Sequence, residues 1–96
     1  MASDELVERW FRLTREVMPA LTAERDWPVR FDHCFQRILL DNAVGGAWRD
    51  HIAAPAYRHA TDEQLCKSIE LGEAAIGGEL DVAELNRRSL EWRGKV

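Results

Sequence analysis

Apolar residues recur at intervals of three and four along much of this chain, and no other feature constrains its fold as strongly. The interval is clearest near the N-terminus, at Leu6, Trp10, Leu13 and Val17. Residues at these intervals share one face of an α-helix, so the spacing predicts amphipathic helices. No alternating apolar run is long enough to predict a β-strand. The expected fold is therefore all-α.

The size of the chain fits one hydrophobic core. It has 96 residues, of which 46% are hydrophobic, and its 4 Trp and 3 Phe should supply much of the core. We expect a single helical domain over residues 1–96. Its architecture is predicted to be a small antiparallel bundle of four main helices, with an irregular connection around residues 47–60.

Local signals predict the ends of the first two helices. Ser3 is the expected N-cap of the first helix, which should run to about Met18, where Pro19 stops it. The second helix is predicted from roughly residue 29 to residue 43, with Pro28 at its first position, where the missing N–H does no harm.

The two later helices begin with capping pairs, in which Glu or Gln follows a short polar residue by three positions. The pairs are Thr61 with Gln64 and Asp81 with Glu84. The third helix is expected to end at the glycines of positions 77 and 78, and the last helix near Gly94.

The charge balance limits the range of partners. The formal net charge is -4, which argues against indiscriminate attraction to nucleic acid or to an anionic membrane. The chain starts with acidic residues and has no apolar run suited to a signal peptide or a membrane span, so we expect a cytoplasmic protein without a membrane partner. Cys34 and Cys66 lack disulfide-scaffold spacing and are expected to be thiols.

The second helix is unusual because polar residues interrupt it where a structural helix would be apolar. On a helical wheel Phe31, Phe35, Ile38 and Leu39 share one face, and Asn42 lies between them. A polar stripe adjoins this face and consists of Arg30, His33, Cys34, Arg37 and Asp41. Because apolar surface flanks the stripe on both sides, its charges need partners or water.

Two interpretations of the stripe are open. In the structural one, Arg37 and Asp41 bridge one another, four residues apart, while His33 caps or packs. In the functional one, the stripe forms an anion-binding or acid–base pocket. Arg30 and Arg37 would then fix a carboxylate or phosphate, and His33 with Asp41 would handle a proton.

The last helix also carries polar residues within an apolar arc. Asn86 and Ser89 lie among Val82, Leu85, Leu90 and Trp92. Asn86 and Asn42 are expected to bond to each other, to the polar stripe, or to backbone or water, and both asparagines are candidate ligand-binding residues. Arg87, Arg88 and Arg93 make this end basic and would serve a nucleic-acid site.

Several other kinds of site are not supported. His33 and Cys34 are adjacent, so on a helix they point about 100° apart and do not form a catalytic dyad. Cys34, Cys66, His51 and His59 lack the paired spacing of a zinc site, so no metal is predicted. The two Gly-Gly pairs lack a phosphate-binding motif, and the sequence identifies no cofactor.

Three segments resemble short bacterial proteins classed as GNAT-type N-acetyltransferases. They are residues 31–42 (FDHCFQRILLDN), 55–58 (PAYR) and 85–95 (LNRRSLEWRGK). The resemblance implies acetyl transfer from acetyl-CoA on a mixed α/β sheet, with the pyrophosphate on a Gln/Arg-x-x-Gly-x-Gly/Ala loop. This chain has neither the strands nor that loop, so the resemblance leaves room for a domain that assists a separate enzyme.

Three functions follow as hypotheses. The first is an accessory domain that binds an anionic small molecule or a partner protein through the polar stripe. The second is a small acyltransferase-like enzyme or enzyme component with His33 as proton carrier. The third is a nucleic-acid-binding module that uses the basic last helix. The sequence leaves the oligomeric state open.

Overall fold

The structure, a computed structural model, describes residues 2–95, so Met1 and Val96 of the predicted domain lie outside the described residues. Over this range the chain forms α1 (Asp4–Arg12), α2 (Met18–Arg25), α3 (Asp32–Val44), α4 (Ala56–His59), α5 (Asp62–Ile76) and α6 (Val82–Trp92). A π-helical turn, Leu13–Val17, joins α1 directly to α2, and a 3-10 turn, Trp48–Asp50, follows α3. The predicted all-α bundle with an irregular connection around residues 47–60 is confirmed.

The first helix does not stop at Pro19, and this prediction was wrong. The chain stays helical to Arg25, because the turn before the proline is already widened. Within it the Met18 N–H donates to the carbonyl oxygen of Leu13, five residues back. A proline lacks the N–H for the usual bond and its ring crowds the preceding turn, and a π turn relieves both constraints.

The second long helix begins three residues later than predicted. Phe31 has extended backbone angles and caps α3, so Arg30 and Phe31 lie outside the helix. The reason is that α2 extends to Arg25, through residues predicted to connect the first two helices. The linker between α2 and α3 therefore consists of residues 26–31. The Thr22 hydroxyl then donates to the Val29 carbonyl oxygen at 3.1 Å, which holds this linker against the end of α2.

Both capping predictions identified the correct helix starts. Thr61 and Gln64 form the full capping box, and the Asp81 carboxylate accepts from the Ala83 N–H. Glu84 does not complete a second box, because its carboxylate binds Arg87 and Arg88 instead. Ser3 caps α1 as expected.

The core lies around α3, which packs against α5, α6, the π turn, the 3-10 turn and α2, while α1 packs against α5. Phe35, Ile38 and Leu39 are buried as predicted. Phe31 and Trp92, also expected to be apolar contacts, are 53% and 42% exposed. Phe31 escapes burial because it precedes the helix instead of belonging to its inner face. No helix of residues 2–95 is long and apolar enough to cross a membrane.

Candidate anion-binding cleft

Asp41 is a fully buried carboxylate in the middle of the bundle, and each of its oxygens accepts two hydrogen bonds. Oδ2 accepts from Arg93 Nε and from the Ser89 hydroxyl, both at 2.6 Å. Oδ1 accepts from Arg93 Nη2 at 2.9 Å and from the Trp48 backbone N–H at 2.8 Å. Asp41 therefore joins α3 to the end of α6 and to the start of the irregular connection.

Ser89 extends this network to Arg37. Its hydroxyl donates to Asp41 and accepts from Arg37 Nη1 at 2.7 Å. Arg37 Nη2 donates to Asn86 Oδ1 at 2.9 Å. Both acceptors of Arg37 are neutral, so its guanidinium is oriented by hydrogen bonds and keeps its charge uncompensated.

Within the hydrogen-bonded network Arg37 and Arg93 bring two positive charges and Asp41 brings one negative charge, and Asp50 lies near enough to Arg93 to act on it electrostatically. Hydrogen bonding to Asp41 raises the pKa of Arg93 above its ordinary value, with a smaller electrostatic contribution from Asp50, although burial opposes the rise.

A cleft of about 730 Å³ opens beside this network. Its walls come from α1 with the π turn, from α3, from the irregular connection and from Arg93 at the end of α6. Among the residues that line it, the charged ones are arginines: Arg15, Arg37, Arg49 and Arg93. No carboxylate belongs to this lining, so the cleft is a positively charged depression.

Aromatic rings hold two of these arginines in place. The guanidinium carbon of Arg15 lies 3.7 Å from the centre of the Phe11 ring, and that of Arg49 lies 5.2 Å from the centre of the Trp48 ring. Arg15 also has a long contact of 4.0 Å with Asp32. Within residues 2–95, Arg49 has no carboxylate within 4.0 Å.

Some of the predicted site residues line this cleft, some belong to the network behind it, and Arg30 lies outside it. Arg37 lines the cleft, while Asp41 and Asn86 hold the network behind it. His33 lies at the cleft with its side chain three-quarters exposed and its ring stacked on Phe31. Arg30 is not part of the lining and lies over Phe31.

Two predicted contacts were wrong. Arg37 does not bridge Asp41, because Arg93 occupies that carboxylate and the Arg37 side chain reaches α6 instead. Asn42 does not bond to Asn86, since its amide donates to the carbonyl oxygens of Leu85 and Ile38, which agrees with the backbone alternative. Asn86 does bond to the polar stripe, as one alternative foresaw.

The arginines of the nucleic-acid hypothesis are all paired. Arg87 binds Glu84 and Glu91, and Arg88 binds Glu84. Hydrogen bonding to Arg87 lowers the pKa of Glu84, and hydrogen bonding to Glu84 raises the pKa of Arg87. Arg93 is bound to Asp41, so each of these three arginines has a carboxylate partner within the chain.

Sequence reasoning missed the contribution of Arg15, Arg49 and Tyr57 to the cleft. Arginine beside tryptophan at positions 48 and 49 was a signal, but it is common on ordinary surfaces. No group of His, Cys, Asp and Glu within the described part of the chain is arranged to hold a metal ion. Cys34 and Cys66 are free thiols.

The fold and the cleft together define a small all-α domain with a basic, aromatic-lined depression beside a buried ion-pair network. Comparison with known protein families, curated proteins and solved structures finds no match to this chain.

Proposed function

We propose that this chain is a small cytoplasmic binding domain that holds an anionic small molecule in the cleft beside Arg37. One observation carries the proposal: four arginines and no carboxylate line the cleft, and Arg37 is hydrogen-bonded only to the neutral acceptors Ser89 and Asn86. Uncompensated charge at a half-buried position is unfavourable unless a counter-ion is supplied. A bound oxyanion supplies it.

Arg37 is well suited to be the anion ligand. A guanidinium has five N–H donors, and the bonds to Ser89 and Asn86 use only two of them. Those two bonds fix the side chain before the ligand arrives, which lowers the entropy lost on binding. The remaining donors match the geometry of a carboxylate or phosphate.

The size of the cleft favours a small molecule over a partner protein. A volume of about 730 Å³ lies within the usual range for small-molecule sites, which is roughly 300–1,000 Å³. The walls come from four parts of the bundle, so the cleft is concave. Protein partners more often use flatter and larger surfaces.

The surroundings of the candidate acid–base residues support binding better than catalysis. Asp41 has no oxygen free to accept a proton from a substrate, since four donors already occupy it. His33 is largely exposed and stacked on Phe31. Residues 2–95 form no strand, so the sheet that the GNAT resemblance implies has no counterpart here.

The test is a titration with inorganic pyrophosphate at constant ionic strength, followed by ¹H–¹⁵N NMR of the backbone and of the arginine Nε–H groups. We expect saturable shifts centred on Arg37 and Arg49. The variant Arg37→Gln should lose them, while Arg58→Gln should keep them, because exposed Arg58 is not part of the cleft lining.

Three results would contradict the proposal. The first is the absence of any saturable shift at millimolar pyrophosphate. The second is an identical titration in wild type and Arg37→Gln, provided that circular dichroism shows the variant to be folded. The third is an equal loss in Arg37→Gln and Arg58→Gln, which would indicate general charge attraction.

A further inference from the structure

The cleft is much larger than an oxyanion requires, and the rest of its lining is mostly apolar or aromatic. Apart from the arginines, Phe11, Leu40, Trp48, Pro55 and Tyr57 contribute to its walls. A phosphate or carboxylate group bound at Arg37 would leave most of the 730 Å³ to the remainder of the ligand. That remainder must therefore be substantially apolar.

The aromatic residues form flat surfaces at the cleft. Tyr57 lies on the short helix α4, and its ring centre is 5.2 Å from that of Phe11 at an interplanar angle of 56°. Tyr57 remains 37% exposed although it contacts the core through Phe11. A ring held at the cleft and left partly in water has apolar surface available to a ligand.

The guanidinium groups add further flat surfaces of the same kind. Arg15 over Phe11 and Arg49 over Trp48 place planar cations on both the α1 side and the connection side of the cleft. Aromatic rings stack on guanidinium planes as well as on other rings. A saturated chain gains only burial from such walls, whereas a planar ring also gains stacking.

We infer that the ligand is an aryl oxyanion, that is, a planar aromatic ring system carrying a carboxylate or phosphate, with the oxyanion at Arg37 and the ring against Tyr57. This inference rests on the proposed function and names the chemical class of its ligand. An aryl carboxylate and an aryl phosphate both carry an oxyanion on the ring. Separate carboxylate and phosphate probes distinguish these two kinds of ligand.

Calorimetric titration with three matched compounds tests the inference. 2-Naphthoate has ring and charge, decahydro-2-naphthoate keeps the charge on a saturated ring, and 2-naphthamide keeps the ring without the charge. We expect 2-naphthoate to bind about fivefold or more tightly than decahydro-2-naphthoate, in line with measured aromatic-pair energies, and also more tightly than 2-naphthamide, which cannot form an ion pair with Arg37. 2-Naphthyl phosphate, titrated beside 2-naphthoate, shows which oxyanion the cleft prefers.

A pair of variants assigns the ring contact. Tyr57→Leu keeps an apolar side chain but removes the ring, and 2-naphthoate should bind it about fivefold more weakly. Tyr57→Phe keeps the ring and should bind within about twofold of wild type. Because Tyr57 is on a partly exposed four-residue helix, both variants should fold, which circular dichroism checks.

The outcomes separate this inference from the proposed function. Equal affinity for 2-naphthoate and its decahydro analogue, or equal loss in Tyr57→Leu and Tyr57→Phe, overturns the aromatic ligand and leaves anion binding intact. Binding of pyrophosphate without binding of either aryl oxyanion overturns it as well. If pyrophosphate and the aryl oxyanions all fail to bind, both proposals are wrong.

Discussion

Arg93 and Asp41 lie 52 positions apart in the chain and are joined by two hydrogen bonds of 2.6 and 2.9 Å. The paired contact ties the end of α6 to the last turn of α3. It also determines the character of the cleft, because an Asp41 occupied by Arg93 is unavailable to Arg37. The stability of the bundle and the charge of the site therefore depend on the same pair.

Asp41→Asn should be strongly destabilising. The amide cannot accept from all four present donors, and Arg93, which is 24% exposed, loses its carboxylate. Breaking one partner of a buried ion pair costs about 3–5 kcal/mol, and the partial exposure of Arg93 places our expectation near the lower end. Urea denaturation followed by Trp fluorescence measures the free energy of unfolding.

The matched control for this change is Glu8→Gln. Glu8 is exposed and has no ion-pair partner among the described residues, so the same carboxylate-to-amide change should alter the free energy of unfolding by less than about 0.5 kcal/mol. Similar effects of the two variants would show that the Asp41 network contributes nothing specific.

Ser89→Ala should destabilise less than Asp41→Asn, by about 1–2 kcal/mol. Asp41 keeps three donors and Arg37 keeps Asn86 after the hydroxyl is removed. In the double variant the two effects should not add, because both act on one hydrogen-bonded network. Additive free energies of unfolding would indicate that Ser89 acts independently of Asp41.

Gly72→Ala should destabilise the packing of α5 on its neighbours. A methyl group at this position would lie 2.6 Å from Leu13 Cδ2 and 3.1 Å from Leu39 Cδ1, both in buried side chains. We expect a loss of about 1–2 kcal/mol, because overpacking of the core outweighs the better helix propensity of alanine. Thermal unfolding is the measurement.

Gly77→Ala is the control for the glycine change. A methyl group there meets only backbone oxygens at 3.5 and 3.7 Å, and the backbone φ of Gly77 is −73°. Since alanine adopts this conformation readily, the variant should be neutral or more stable by up to about 1 kcal/mol. A drop in the melting temperature as large as that of Gly72→Ala would contradict the packing argument.

The two thiols should differ in their rate of modification. Cys66 is exposed on α5, whereas Cys34 is half-buried on α3. Ellman's reagent should therefore react quickly with Cys66 and more slowly with Cys34, because the Cys34 thiol is only partly accessible. Cys66→Ser should abolish the fast phase, and a fast phase that survives would assign it to Cys34.

The sequence by itself determined the secondary structure wherever the signals are local. Helical spacing and the capping residues Ser3, Thr61 and Asp81 predicted the starts of three long helices, because an N-cap satisfies N–H groups only two or three residues away. The same local reasoning identified Asp41 of α3 and Ser89 of α6 as polar residues in apolar surroundings, whereas Arg30 lies outside α3 and His33 is largely exposed. It failed at Pro19, where a π turn changed the local bonding pattern.

Only the tertiary structure decided which polar residues meet. Arg37 is four residues from Asp41, a common pairing distance on a helix, yet Asp41 binds Arg93 and Arg37 binds Ser89 and Asn86. The choice depends on how α6 crosses α3, which no short-range spacing encodes. The cleft arose in the same way: its arginines and rings come from segments far apart in sequence, and packing alone brings them together.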